Sequence, residues 1–282
     1  MDIFTLQSPI DNGAIMAITT IKNGTLEYLT AEGIAVPHCF TTRLGGVSTG
    51  TLESMNIGLH RGDKAENIAE NYRILGKALG FDTDKLVLTK QIHSDIVCRV
   101  GHDDWGKHMV AGASPICDAL ITDEPGTALV VFTADCTPIL LHDPVTGAVG
   151  ACHAGWRSTA LDIAGKTAKA MAAAFGCRPE NIRAAIGPNL GQCCFETDAD
   201  VPNAMLETYG DGARAHIRVA GQKYYVNLKA INALALARVG VRHIEISTAC
   251  TKCDPHTYWS HRVHGAARGS QGAIIVCKEA VK

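Results

Sequence analysis

The sequence is short of several things at once. No apolar run approaches the ~20 residues that a membrane-spanning helix needs, which argues against a helical membrane protein. The opening residues, MDIFTLQSPIDNG, carry neither a basic stretch nor a long apolar core, so no signal peptide is read there and a cytoplasmic location is expected. Neither sign of charge is in excess: 26 Lys and Arg stand against 28 Asp and Glu, a formal net of −2, with no long basic run. No nucleic acid and no membrane surface is therefore an expected partner. Internal repeats, low-complexity tracts and linker-like stretches are also missing. The 282 residues thus read as one large domain, 1–282, with 1–26 as an N-terminal extension.

What is present fits a soluble globular protein with a sizeable core, 46% hydrophobic and 19% charged. Eleven cysteines is a high and odd number. In a reducing compartment most are expected as thiols, buried as small hydrophobes or held as metal ligands, and a disulfide framework is not expected at this length.

The most informative stretch is 133–157, TADCTPILLHDPVTGAVGACHAGWR. Two apolar runs flank the turn formers Asp143, Pro144 and Gly147, which predicts a β-hairpin. Cys136 and His153 are equidistant from its centre, between Pro144 and Val145. Facing positions of an antiparallel pair have Cβ atoms ~4.5–5.5 Å apart, a separation that lets a thiolate and an imidazole reach one metal ion. A catalytic zinc has three protein ligands and one open position. Spacing leaves His38, His60 and His93 as candidates for the third. The same pair also fits a metal-free nucleophile and base, with Asp95 or Asp135 orienting the ring.

Around this hairpin, helices and strands alternate. Helical spacing predicts helices from Asp63, capped with Glu66, to Gly80, from Thr159, paired with Asp162, to Phe175, and from Asn227 to Val239. Strands are expected over 85–100, 117–122, 129–132, 183–187, 244–246 and 272–277, and a loop over 103–115. Gln91 and His93 would share one strand face. The interleaving predicts an α/β (α+β) domain of mixed β-sheets flanked by helices. The Gly-rich run TTRLGGVSTG, 41–50, with Arg43, and Arg61 just ahead of a helix start, are two candidates for holding an anion such as phosphate, weighed against ordinary surface arginines. Cys250 and Cys253 form a CxxC without a second one in the chain, and Cys193 and Cys194 are adjacent. Structural thiols are expected at both places.

Taken together, TTRLGGVSTG, NIGLHRGD, QIHSDIV, TADCTPILLHDP, ACHAGWRST, IGPNLGQCCFE and YWSHR resemble the multicopper polyphenol oxidoreductase/laccase-like family, also called the YfiH or laccase-domain family. The resemblance covers nearly the whole chain, from about residue 41 to 277. It implies a single mixed α/β domain with a zinc site on His93 of QIHS, Cys136 of ADC and His153 of CHAGW, with copper as the other candidate metal. It further implies a purine nucleoside phosphorylase that cleaves adenosine, inosine and methylthioadenosine with phosphate and also deaminates adenosine. On that reading purine nucleosides and phosphate are the partners. Zinc-bound water would attack C6 in deamination, and phosphate held by Arg61 and Arg43 would attack the ribose C1′. Asp135 would act as general acid or base, and Gln91 would lie near the ligand. The label of copper laccase (polyphenol oxidase) fits poorly, because no HxH pair is found. Two alternatives stand beside it: a Cys/His hydrolase acting on peptidoglycan precursors, as a peptidoglycan-editing factor, and a non-enzymatic nucleoside-binding module. The sequence departs from the family pattern at Asn189, where a Cys is usual, and at His261, in the place of a Tyr.

Overall fold

The computed structural model describes residues 18–109 and 113–278. The strands β1 (Ile18–Asn23), β2 (Leu26–Ala31) and β3 (His38–Thr41) are followed by α1 (Ala65–Leu79) and β4 (Leu86–Leu88). Five strands come next: β5 (Val97–Arg99), β6 (Ala119–Thr122), β7 (Ala128–Thr133), β8 (Thr137–His142) and β9 (Val149–Ala154). The helices α2 (Trp156–Ala160) and α3 (Ile163–Phe175) lead to β10 (Arg183–Ile186), β11 (Glu196–Thr197), α4 (Asp200–Tyr209) and α5 (Asp211–Arg214). The chain ends with β12 (Ile217–Ala220), β13 (Lys223–Val226), α6 (Leu228–Arg238), β14 (His243–Ile246), α7 (His261–His264) and β15 (Gln271–Val276).

Two six-stranded mixed sheets result, in the orders β1-β2-β3-β15-β7-β4 and β14-β10-β8-β9-β6-β5, with a small third sheet β11-β13-β12. Side chains alternate along each strand, so one strand feeds two layers. Leu129 and Val131 of β7 join Leu140, Ala151 and Ala185 in a core between the two large sheets. Ala128 and Val130 of the same strand pack with Ile68, Tyr72 and Leu75 of α1. Ile139 and Leu141 of β8 face the other way, into a core with Ala168 and Met171 of α3, Met205 of α4 and Ile231 of α6. The order of layers is helix, sheet, sheet, helices. Strands covered on both faces carry continuous apolar runs, as in LVVF and PILL.

Several sequence expectations shift. The stretch 85–100 is not one strand. β4 belongs to the first sheet and β5 to the second, and the link between them turns at His93, whose φ is +60°. The hairpin forms, but Pro138 pairs with His153 and Thr137 with Ala154, so Cys136 lies ahead of β8 and does not face His153. The turn is one residue later than its sequence symmetry predicts, because Asp143 closes it by accepting the Gly147 amide and donating its own amide to Ala148. The helix at 159–175 divides at Asp162 (φ +63°) into α2 and α3, and no Thr159–Asp162 cap forms. α1 is not closed by an Asp63–Glu66 capping box; Asp63 instead accepts from the Lys64 amide and from Asn67. Gly80 ends α1 in the left-handed region as its sequence predicts. Residues 18–23 of the expected N-terminal extension form the edge strand β1. Residues 1–17 of that extension and 110–112 of the expected loop lie outside the described residues.

Candidate metal centre

Two connections pass from the first sheet to the second, β4 to β5 and β7 to β8, and they bring their turns to the same place. The first carries His93 and the second carries Asp135 and Cys136. The end of β9 adds His153. One ligand atom from each of His93, Cys136 and His153 lies within 4.8 Å of the others. The imidazole centroids of His93 and His153 are 4.9 Å apart at 72°. His93 is exposed, Cys136 half-buried and His153 buried, so the cluster opens on one side. His38 and His60 are not part of it. His38 sits in β3 and accepts the Ala31 amide through Nε2.

The hub of the site is Asp118, which has no solvent exposure and precedes β6. Its Oδ1 lies 2.8 Å from His153 Nδ1. Its carboxylate also accepts the amides of Ile92, His93 and Ser94 at 3.3, 3.0 and 2.6 Å, and the Ser94 hydroxyl at 2.8 Å. One carboxylate therefore fixes the His93 loop and orients the His153 ring. Burial by itself would raise Asp118, but the bonds from His153 and Ser94 hold it at about 2. Burial opposes charge on His153, yet the Cys136 sulfur and Asp118 outweigh it and push that ring up to about 9. His93 is lowered, first by burial and then by His153. Asp95, considered as the orienting acid, instead pairs with Lys166 at the surface.

Gly155 closes the cluster. A Cβ there would stand 2.5 Å from His93 Nδ1 and 3.3 Å from Cys136 Sγ. His93 and Asp135, at φ +60° and +88°, hold left-handed backbone at the two crossovers; such strain in non-glycine residues concentrates at functional sites. Two nitrogens, one sulfur and a carboxylate behind one of the imidazoles are a donor set suited to zinc, so the residues present fit the metal that the resemblance implies.

The other sequence candidates divide. Both oxygens of Asp135 are engaged: Oδ1 accepts the Thr251 hydroxyl at 2.6 Å and Oδ2 the Arg262 amide at 2.7 Å. Gln91 does not share a strand face with His93. Its amide group exchanges two hydrogen bonds with the Phe132 backbone, at 2.6 and 2.8 Å, and ties the His93 loop to β7. Arg43 is a structural clamp. Its guanidinium donates to the Glu53 and Pro255 carbonyls and lies 4.0 Å over the Trp259 ring. Arg61 is exposed and donates to Ser270 Oγ at 3.2 Å. Arg268, missed in the sequence, donates to the same hydroxyl at 3.4 Å, and its Nε is buried without a partner. Burial, and then the charge of Arg61, lower Arg268 to about 10, while Asp135 and Cys136 act in the other direction. Two guanidiniums thus converge on one hydroxyl, and Cys136 lies within electrostatic range of Arg268. No spacing rule marks Arg268; an acid inside the apolar run CDALIT was the signal for Asp118.

Of the two departures from the family pattern, Asn189 is buried and donates to Thr137 Oγ1 at 2.7 Å. His261 is exposed at the start of α7.

Residues 37–278 match the model of the family described as multi-copper polyphenol oxidoreductase laccase. The chain belongs to this family. It is 36% identical over 244 residues to "Purine nucleoside phosphorylase YlmD" of Geobacillus stearothermophilus, spanning 85% of this chain and 89% of that one. It is 36% identical over 258 residues to a "Purine nucleoside phosphorylase" of Deinococcus radiodurans, with 89% and 92% covered. The crystal structure of YlmD from Geobacillus stearothermophilus superposes with a TM-score of 0.86 at 32% identity, covering 93% of this chain and all of that one. The relatives' names support an enzyme of the purine nucleoside phosphorylase type. Among the described residues, no helix is long and apolar enough to cross a membrane.

Proposed function

We propose that the chain is a zinc-dependent purine nucleoside phosphorylase acting on adenosine, inosine and methylthioadenosine, with adenosine deamination as a second activity. The observation that carries this reading is the convergence of His93, Cys136 and His153, together with two arginines that share the Ser270 hydroxyl, one of them within electrostatic range of Cys136, in a chain whose relatives are named purine nucleoside phosphorylase. His93, Cys136 and His153 would hold the metal. It would supply a Lewis acid able to polarise an oxygen and to lower the pKa of water.

The chain's own residues supply binding and order. Asp118 holds Nδ1 of His153 and so leaves Nε2 as the ligand atom. Arg61 and Arg268 repel each other until an anion joins them, and phosphate matches the paired fork of guanidinium donors. An oxygen of that phosphate attacks C1′ of the ribose. The glycosidic C1′–N9 bond breaks, and its electron pair leaves with the purine, which takes up the proton that the attacking hydrogen phosphate gives up. Asp135 is a positioning residue, since both of its oxygens are engaged. Its bonds to Thr251 and Arg262 hold the backbone from which Cys136 projects.

A metal-free hydrolase built on Cys136, His153 and Asp118 is the second reading. It is favoured by the Cys136 sulfur and Asp118 carboxylate that raise the His153 ring. Incubation with adenosine, inosine and methylthioadenosine, with and without phosphate, separates the two. Free base and ribose 1-phosphate (or its methylthio analogue), formed only with phosphate, support the proposal. Intact nucleosides in every mixture contradict it.

A further inference from the structure

A second cluster of sulfur lies apart from the first centre's ligands. Cys193 and Cys194 come from the turn after β10, and Cys250 and Cys253 from the turn after β14. One sulfur from each lies within 4.8 Å of the others. Cys253 Sγ stands 3.4 Å from Cys194 Sγ and 3.6 Å from Cys193 Sγ. These are not disulfides, whose sulfurs are ~2.05 Å apart, and all four residues are free thiols. Four sulfurs around one zinc at about 2.3 Å would sit about 3.8 Å from one another; the two contacts of Cys253 fall a little under that separation and every other pair lies within 4.8 Å.

We infer that Cys193, Cys194, Cys250 and Cys253 form a second, closed metal site that binds one zinc ion as a tetrathiolate. Three further features fit this. The Gly191 amide donates to Cys250 Sγ at 3.2 Å, as a donor to a thiolate would. Gly191 itself leaves room, because a Cβ there would come within 3.1 Å of Cys250 Cβ and 3.3 Å of Cys193 Sγ. The ammonium of Lys229, buried and bonded to the Ser247 and Ala249 carbonyls, lies within electrostatic range of Cys250 and Cys193 and offsets a charge that four thiolates leave in excess. Binding displaces the thiol protons to water and needs no oxidant. The single CxxC finds its missing pair in two adjacent cysteines, a pattern outside the usual spacing.

The site has a consequence for the first centre. Thr251 lies between two of its ligands, takes the Asn189 carbonyl with its amide and holds Asp135 Oδ1 with its hydroxyl. The Leu190 amide binds the Asp135 carbonyl. An ion that ties the two turns together fixes both contacts to the residue before Cys136.

The test is zinc stoichiometry after loading and dialysis. The unmutated protein should retain two ions per chain, and Cys136→Ala, which lacks the first centre's sulfur, one. Cobalt in that variant should give the intense visible absorption and the near-ultraviolet charge-transfer bands of a tetrahedral sulfur site. Cys250→Ser/Cys253→Ser should lose the second ion. If the first centre binds none, the unmutated protein and Cys136→Ala both read one and the double variant none, so the two readings fail separately. In unmutated protein the four cysteines should resist alkylation with zinc and react after chelation. Equal alkylation in both states, a disulfide seen as a loss of about two mass units, or iron with acid-labile sulfide would each overturn the inference.

Discussion

His153 Nδ1 and Asp118 Oδ1 are 2.8 Å apart, and the same carboxylate holds the backbone of His93. Two of the three candidate ligands are therefore placed by one acid that is not itself a ligand. Asp118→Asn keeps the volume and removes the charge. Carboxylate partners of metal-bound histidines are worth roughly 10–100-fold in metal affinity, and a loss in that range is expected here. Competition with a chelator measures it. An unchanged affinity would separate Asp118 from the metal.

Arg268→Gln should raise the KM for phosphate about tenfold or more, on the order of 1.4 kcal/mol, with metal content unchanged. Arg61 donates to the same hydroxyl, so Arg61→Gln should act in the same direction. Initial rates at varied phosphate decide it. A phosphate KM that stays put in both variants would remove the anion site from this place.

Arg43→Ala should act on stability and not on phosphate. Its hydrogen bonds to carbonyls and its stacking on Trp259 are worth about 2–4 kcal/mol together. Urea unfolding should show that loss. A raised phosphate KM with unchanged stability would restore Arg43 to an anion-binding role.

Two buried histidines should make the fold acid-sensitive. His142 is lowered to about 4, mainly by burial, and His38 is lowered for the same first reason. Both are neutral when folded, whereas the unfolded chain takes up protons near pH 6.5. The stability they contribute is full above that pH and is lost as pH falls toward 4, on the order of 1–3 kcal/mol for His142. His142 Nδ1 has no partner, so His142→Leu leaves no bond broken there. The gap between urea midpoints at pH 7 and pH 5 should narrow in that variant, with the part due to His38 remaining. An unchanged pH dependence would place the acid sensitivity elsewhere.

Much of this was legible in the sequence, for stated reasons. The apolar runs around Val131 and Leu140 announce strands covered on both faces, and ADC, QIHS and CHAGW carry the three candidate ligands. Cys136 and His153 do come together, but not through the strand register that their sequence symmetry predicts. Cys136 meets His153 because the crossover from β7 to β8 turns at Asp135, not because the two face each other across strands. His93 lies in a loop and not in a strand, and a loop pinned by Asp118 has no period for the sequence to show. Arg43 and Arg61 look alike in the sequence. Only packing shows one spent on carbonyls and the other free to meet Arg268. The two pairs of cysteines, about 60 positions apart, meet only because β10 and β14 are neighbours in parallel.

The most direct measurement is hypoxanthine release from inosine by the unmutated protein and by Cys136→Ala, at zero and saturating phosphate. The account predicts release by the unmutated protein only when phosphate is present, one ribose 1-phosphate for each base, and a drop of at least about 100-fold in a folded Cys136→Ala. Equal turnover in the two proteins, or base released at the same rate without phosphate, would contradict it.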